Sequence, residues 1–173
     1  MKKIIALFVC LLTLVFVAGC KEKAEKKASH NIDIAYFADM GTFNDCPFKI
    51  GELLPDKEQL KKDEFVIYCE KEPYYASNGK FNFYYYRDDD GNLVFNKIVS
   101  FDTCLGFETG SISIEVTDVL DEQGIKYTER EPEAEELFFL PAGNNRSVVE
   151  CGSLKNPLRF VFEDNALCAV LLG

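Results

Sequence analysis

Three dipeptides, Asn78-Gly79, Asp90-Gly91 and Asp164-Asn165, restrict the fold of this chain more than any other feature. Asn, Asp and Gly tolerate the positive φ that a tight reversal between antiparallel strands demands, and most other residues do not. Tyr74 to Ser77 and Lys80 to Arg87 flank the first turn, Lys80 to Arg87 and Asn92 to Phe101 the second, and Leu158 to Glu163 and Ala166 to Leu172 the third. These runs are rich in aromatic and β-branched residues, so each dipeptide predicts a hairpin in an antiparallel sheet.

Helical signals lie upstream of the hairpins. Pro55-Asp56-Lys57-Glu58-Gln59-Leu60 opens one, and Ser113 to Gln123 forms the other. Ile112, Val116, Val119 and Leu120 recur at i, i+4, i+7 and i+8 on one helical face, and Gly124 stands where a left-handed C-cap is wanted. The same order of elements is echoed by an internal repeat. Phe43-Asn44-Asp45-Cys46-Pro47-Phe48-Lys49-Ile50-Gly51 and Phe101-Asp102-Thr103-Cys104-Leu105-Gly106-Phe107-Glu108-Thr109-Gly110 share Phe, Cys, Phe and Gly in order, and Val66 to Glu70 parallels Val148 to Gly152. The strands at 81–101 likewise parallel those at 158–172. The expected fold is therefore α+β: two tandem degenerate repeats, each a short helix packed on an antiparallel β meander. The first repeat with its N-terminal lead-in occupies 32–100 and the second 101–173.

A helix followed by a hairpin meander, repeated in tandem, resembles the β-lactamase inhibitor protein fold. The small lipoprotein of the outer-membrane β-barrel assembly machinery has a single unit of this kind. Gly110-Ser111-Ile112-Ser113-Ile114-Glu115-Val116 with Leu120 resembles the family's opening of Gly, small residue, acidic residue, Val and Leu. The first copy departs from it, with Pro55 in place of a smooth helix start. Proteins of this fold mostly bind other proteins, so the resemblance implies a binding role rather than catalysis.

The N-terminus sets the compartment. Lys2 and Lys3 precede fifteen uncharged residues, Ile4 to Ala18. As a helix this stretch spans roughly 22 Å, short of the roughly 30 Å of a hydrocarbon core, so a cleaved signal segment (1–19) is expected rather than a permanent span. Val17-Ala18-Gly19-Cys20 resembles the lipobox of bacterial lipoprotein precursors. That resemblance implies diacylglycerol on the Cys20 sulfur, acylation of the new amino terminus, and a mature protein held to the exported side of an envelope membrane. Two or three acyl chains anchor stably where one anchors marginally. Residues 20–31 then form a lipidated N-terminus and a charged tether whose Lys21 to Ser29 has no large apolar residue to pack.

Beyond the tether the chain keeps 13 basic and 27 acidic residues, a net charge of about −14. Nucleic acid is disfavoured as a partner by that field, and a basic partner or plain solubility fits it better. Export permits disulfides among Cys46, Cys69, Cys104, Cys151 and Cys168, which allow fifteen arrangements of two bridges. Repeat symmetry selects Cys46–Cys69 and Cys104–Cys151, with Cys168 unpaired.

Catalytic chemistry finds little footing. His30, the only histidine, lies in the tether, which leaves no imidazole for a triad or a zinc site in the globular part. Phosphate-binding glycine motifs are missing from the sequence, and no cofactor or metal is expected. Asp88 to Asn92 lacks the alternating ligands and closing glutamate of a calcium loop and reads as a hairpin turn. Glu129 to Glu136 carries five glutamates and reads as a charged surface loop. Six of the eight tyrosines fall between Tyr68 and Tyr86, and strand alternation sends Tyr84 and Tyr86 opposite to Phe81, Phe83 and Tyr85. Tyr84 and Tyr86 are therefore the candidate binding residues. The function expected is that of a lipid-anchored, non-enzymatic protein-binding or assembly module of the bacterial envelope, its partner protein unidentified. The alternative is a carboxylate-based hydrolase of envelope glycans, which needs two acids roughly 5 to 9 Å apart in a cleft.

Overall fold

A computed structural model describes residues 31–69 and 74–173, with Cys69 described by its backbone alone. The signal segment, Cys20 and the tether up to His30 lie outside the described residues. In chain order the elements are α1 (Ile34–Met40), α2 (Lys57–Lys62), β1 (Val66–Cys69), β2 (Tyr74–Ser77), β3 (Phe81–Arg87), β4 (Leu93–Ser100), α3 (Ser113–Glu122), β5 (Thr128–Arg130), α4 (Ala134–Phe138), β6 (Arg146–Cys151), β7 (Leu158–Glu163) and β8 (Ala166–Leu172). Among the described residues no helix is long and apolar enough to cross a membrane.

The strands make one antiparallel eight-stranded sheet in the order β1-β2-β3-β4-β8-β7-β6-β5. This corrects the expected α+β pair of helix-on-meander repeats, because the molecule is mostly β and its helices are short. Two meanders do follow one another along the chain, but they meet edge to edge. Ile98 pairs with Leu172, Val99 with Leu171 and Ser100 with Val170. The physical reason lies in β8, where Ala166–Leu172 is a nearly unbroken apolar run. A strand apolar on both faces must be covered on both faces and paired on both edges, which a free-standing meander cannot provide. One continuous core spans the seam, joining Phe43, Phe48, Phe81, Phe83 and Phe95 to Val116, Leu120, Leu158, Phe160 and Phe162.

The turns show where local chemistry decides register. Asp164 and Asn165 have φ of 50° and 68°, and Glu163 pairs with Ala166 across them, a two-residue reversal. At Asn78-Gly79 the reversal is displaced. Ser77 pairs with Asn82 rather than Lys80, so Gly79 and Lys80 form the tip. Asn78 Oδ1 accepts from the N–H groups of Lys80 at 3.1 Å and Phe81 at 2.8 Å, which holds this longer turn. The shift is an even number of residues, so the same side chains still face the core. Between β3 and β4, Asp88 carboxylate accepts from Asn92 N–H at 2.7 Å and Gly91 takes φ 87°. The carboxyl of Asp88 is held below its ordinary value chiefly by the hydrogen bond it accepts from the Asn92 side-chain amide at 3.1 Å.

Helix α3 forms where the apolar spacing predicts it. Val116 and Leu120 are fully buried, Glu115 carboxylate accepts from Ile112 N–H at 3.2 Å, and Gly124 adopts φ 68° just after the helix. Helix α1 was not foreseen in the lead-in. Asp33 caps it by accepting from Tyr36 N–H at 2.9 Å, and Gln123 fastens its start by accepting from Ile34 N–H at 3.0 Å. All three longer helices place buried residues in the main core on one face of the sheet.

The expected bridges are not formed. Cys46, Cys104, Cys151 and Cys168 are free thiols, and the Cys69 side chain lies outside the described residues. The repeat register behind the pairing is also displaced, since it equates the edge strand β1 with β6, an inner strand. Burial pushes the Cys104 thiol up to about 12, against a hydrogen bond from Ser100, and burial with the Glu150 charge takes Cys151 up to about 12.

Candidate docking face

Helices α1, α2 and α3 cover one face of the sheet, and the opposite face carries the candidate site. Along β3, Phe81, Phe83 and Tyr85 point into the core, while Tyr84 and Tyr86 take the other face, as the alternation requires. A bulge between Ile67 and Cys69 in β1 and another at Asn96 in β4, opposite Tyr84 and Tyr85, adjust the strands around them. The result is an aromatic row running across three strands. Tyr68 stacks on Tyr75 at 5.3 Å with rings 5° from parallel, and Tyr75 stacks on Tyr84 at 5.6 Å. Tyr84 meets the edge of Phe139 at 4.5 Å, and Phe138 meets Phe139 at 5.2 Å. Cross-strand aromatic neighbours of this kind each contribute about 0.5–1 kcal/mol beyond their buried area.

The two tyrosines singled out from the sequence have different surroundings. Tyr86 is 44% exposed and free to touch a partner. Tyr84 is half-buried beneath Phe139 and belongs to a second, smaller apolar cluster with Val99, Val148, Val161, Leu140 and Leu171. Burial raises its phenol above the ordinary value. Tyr68, at 60% exposure, is the more open ring of the row. Sequence reasoning missed Tyr68 because its placement depends on the β1 bulge and Tyr75 because it joins the row only once β2 pairs with β3, and it missed Leu137 and Phe138 altogether. The apolar run Leu137-Phe138-Phe139-Leu140 directly after the glutamates was the available signal.

Helix α4 closes the far side of this face in an inverted manner. Its buried residue is Glu136, at 3% exposure, whereas Leu137 and Phe138 are 42% and 60% exposed. Glu136 sits in a cluster of two arginines and two glutamates. Arg130 donates to Glu136 at 2.7 Å and to Glu150 at 2.7 Å, Arg159 Nε lies 2.9 Å from Glu136 Oε1, and Glu133 N–H donates to Glu136 at 2.8 Å. Arg159 Nε makes that charge contact without the alignment of a hydrogen bond. Burial alone would raise the Glu136 carboxyl, but the hydrogen bonds and charges from Arg130, Glu133 N–H and Arg159 outweigh it, and the net shift is downward. The Glu136 hydrogen bond likewise raises Arg130. The expected solvated loop over Glu129 to Glu136 is thus corrected to β5, α4 and a buried ionic clamp.

Beside the clamp is a shallow pocket of about 280 Å³ lined by Tyr84, Lys97, Glu135, Phe139 and Arg159. Lys97, 7% exposed, reaches Glu135 at 3.2 Å and lies 4.0 Å from the centre of the Phe139 ring. Burial lowers its ammonium, and Glu135 partly restores it. A glycan hydrolase needs a carboxyl raised towards neutrality to protonate a leaving group, and Glu136 is shifted the opposite way. No group of three His, Cys, Asp or Glu side chains among the described residues is arranged to hold a metal ion.

No family model, curated protein or solved structure matches this chain. The two resemblances read from the sequence therefore rest on their quoted residues alone.

Proposed function

We propose that this chain is a lipid-anchored protein of the bacterial envelope that works as a non-enzymatic protein-binding or assembly module through the outer face of its sheet. The observation that carries the reading is the row Tyr68–Tyr75–Tyr84–Phe139, with Tyr86 exposed beside it. Because Tyr68, Tyr75 and Tyr84 stack on one another, the ring faces between them are occupied, and the row is open to a partner at Tyr68 and, beside it, at Tyr86. That surface suits the mixed apolar and hydrogen-bonding contacts of a protein better than the stacking of a sugar ring. Anchoring is supported by Val17-Ala18-Gly19-Cys20.

Two measurements test the proposal. A photo-cross-linker at Tyr86 in native cells should trap a defined protein that a cross-linker at Tyr36 does not, and Tyr68→Ala with Tyr86→Ala should abolish recapture of that protein after purification. Full recapture by the folded double variant refutes the face. Cys20→Ser should release the protein from membranes, and retention after signal cleavage refutes the anchor.

A further inference from the structure

We propose that α4 is a preformed docking point for a protein segment whose apolar side chains are flanked by lysine or arginine. The inference rests on the binding-module reading above and names the chemistry of its partner. Short surface helices ordinarily turn apolar residues inward and charges outward. Helix α4 does the reverse, burying Glu136 and exposing Leu137 and Phe138. Nothing in the fold is gained by showing a leucine and a phenylalanine side by side to water, whereas an interface gains both.

The helix is also held ready. Glu136 accepts from Arg130 and from Glu133 N–H and lies against Arg159, so a five-residue helix that would not persist alone is fixed to the sheet. Phe139 wedges against Tyr84, which fixes the direction of Phe138 next to it. Side chains that are already ordered lose little freedom on binding. The patch continues into the tyrosine row rather than standing apart from it.

Charge selects the occupant. Arg130, Arg159 and Lys97 stand on sheet strands beneath α4 and are matched by Glu136, Glu150 and Glu135. Glu131 and Glu133, in the same connection, are exposed. The outward field around Leu137 and Phe138 is therefore negative, in a chain of net charge −10. An anionic lipid surface or an acidic segment is repelled by it, and cations flanking an apolar anchor are drawn in.

The test uses the lipid-anchored full chain in zwitterionic nanodiscs, with empty discs as the blank, and three dye-labelled heptapeptides read by fluorescence anisotropy. The first peptide is Leu-Phe-Leu flanked by lysine pairs, the second replaces the lysines with glutamates, and the third replaces the apolar core with serines. The lysine peptide should bind about tenfold or more tightly than either of the others. Added salt should weaken it. Leu137→Ser with Phe138→Ser should remove binding, Glu131→Gln with Glu133→Gln should weaken it, and Met40→Ser on the helix layer should leave it unchanged. Equal binding of the glutamate peptide, unchanged binding by the folded Leu137/Phe138 variant, or Phe138-dependent binding to phosphatidylglycerol vesicles in place of peptide overturns the inference. If peptide binding fails while the Tyr86 cross-link persists, the partner chemistry falls and the binding module stands. Loss of the Tyr86 cross-link as well removes the reading beneath it.

Discussion

Glu136→Gln should be the most informative single change to stability. The carboxylate is 4% exposed at its side chain and bears the charge contacts of two arginines whose side chains are 23% and 18% exposed. Removing one partner of a fully buried ion pair costs about 3–5 kcal/mol, because the remaining charge is left uncompensated. Here the arginines keep Glu150, with Arg130 at 2.7 Å and Arg159 at 3.3 Å, and both retain some contact with water. Glutamine also preserves an acceptor for Glu133 N–H. These features reduce the expected loss to about 2–3 kcal/mol. For a domain of this size that corresponds to a fall in Tm of about 5–10 °C. Thermal and urea unfolding followed by near-ultraviolet circular dichroism would measure it, with tyrosine as the reporter because the chain lacks tryptophan. Glu129→Gln, on an exposed carboxylate of β5, should cost less than about 0.5 kcal/mol. The pH dependence supplies an independent check. Glu136 is lowered from 4.5 in the folded state, so its contribution is complete above that value and is lost as pH falls towards the lowered one. The gap between parent and variant should therefore be constant near neutrality and narrow below pH 4.5. A variant as stable as the parent, or a gap that does not narrow in acid, would refute the clamp.

Phe83→Ala should cost about 3–5 kcal/mol, since Phe83 is fully buried among Phe48, Phe65 and Phe95, and denaturant midpoints would measure it. Asn165→Val should cost about 1–2 kcal/mol because a β-branched residue is strained at φ 68°, while Asn165→Gly should be nearly silent. Cys104 and Cys151, with thiols near 12, should resist iodoacetamide in the folded protein and react fully in denaturant. Peptide mapping without reduction would expose any bridge and so contradict the free thiols.

Strand positions and the strong turn at Asp164-Asn165 were legible because they depend on neighbours in sequence: period-two alternation, apolar runs and residues that accept positive φ. Helix α3 was legible for the same reason, through its own spacing and Gly124. The joining of the two meanders into one sheet, in place of the expected two helix-covered units, was not, and the reason is β8. Its run Ala166–Leu172 says that both faces are covered, but only the seam with β4 shows that its second edge is filled by the first meander. The docking face divides the same way. Alternation alone sends Tyr84 and Tyr86 to the outer side. That Tyr84 is half-covered while Tyr68 is open depends on where the Phe139 segment lands, a contact between residues 55 positions apart in the chain. Glu136 is the sharpest case. Among five glutamates of similar local sequence, the one that is buried is chosen by Arg130 on β5 and Arg159 on β7, which converge on it only after the sheet has formed. Local pattern determined which residues could form strands and turns, and only the assembled sheet decided which charge goes in and which aromatic stays out.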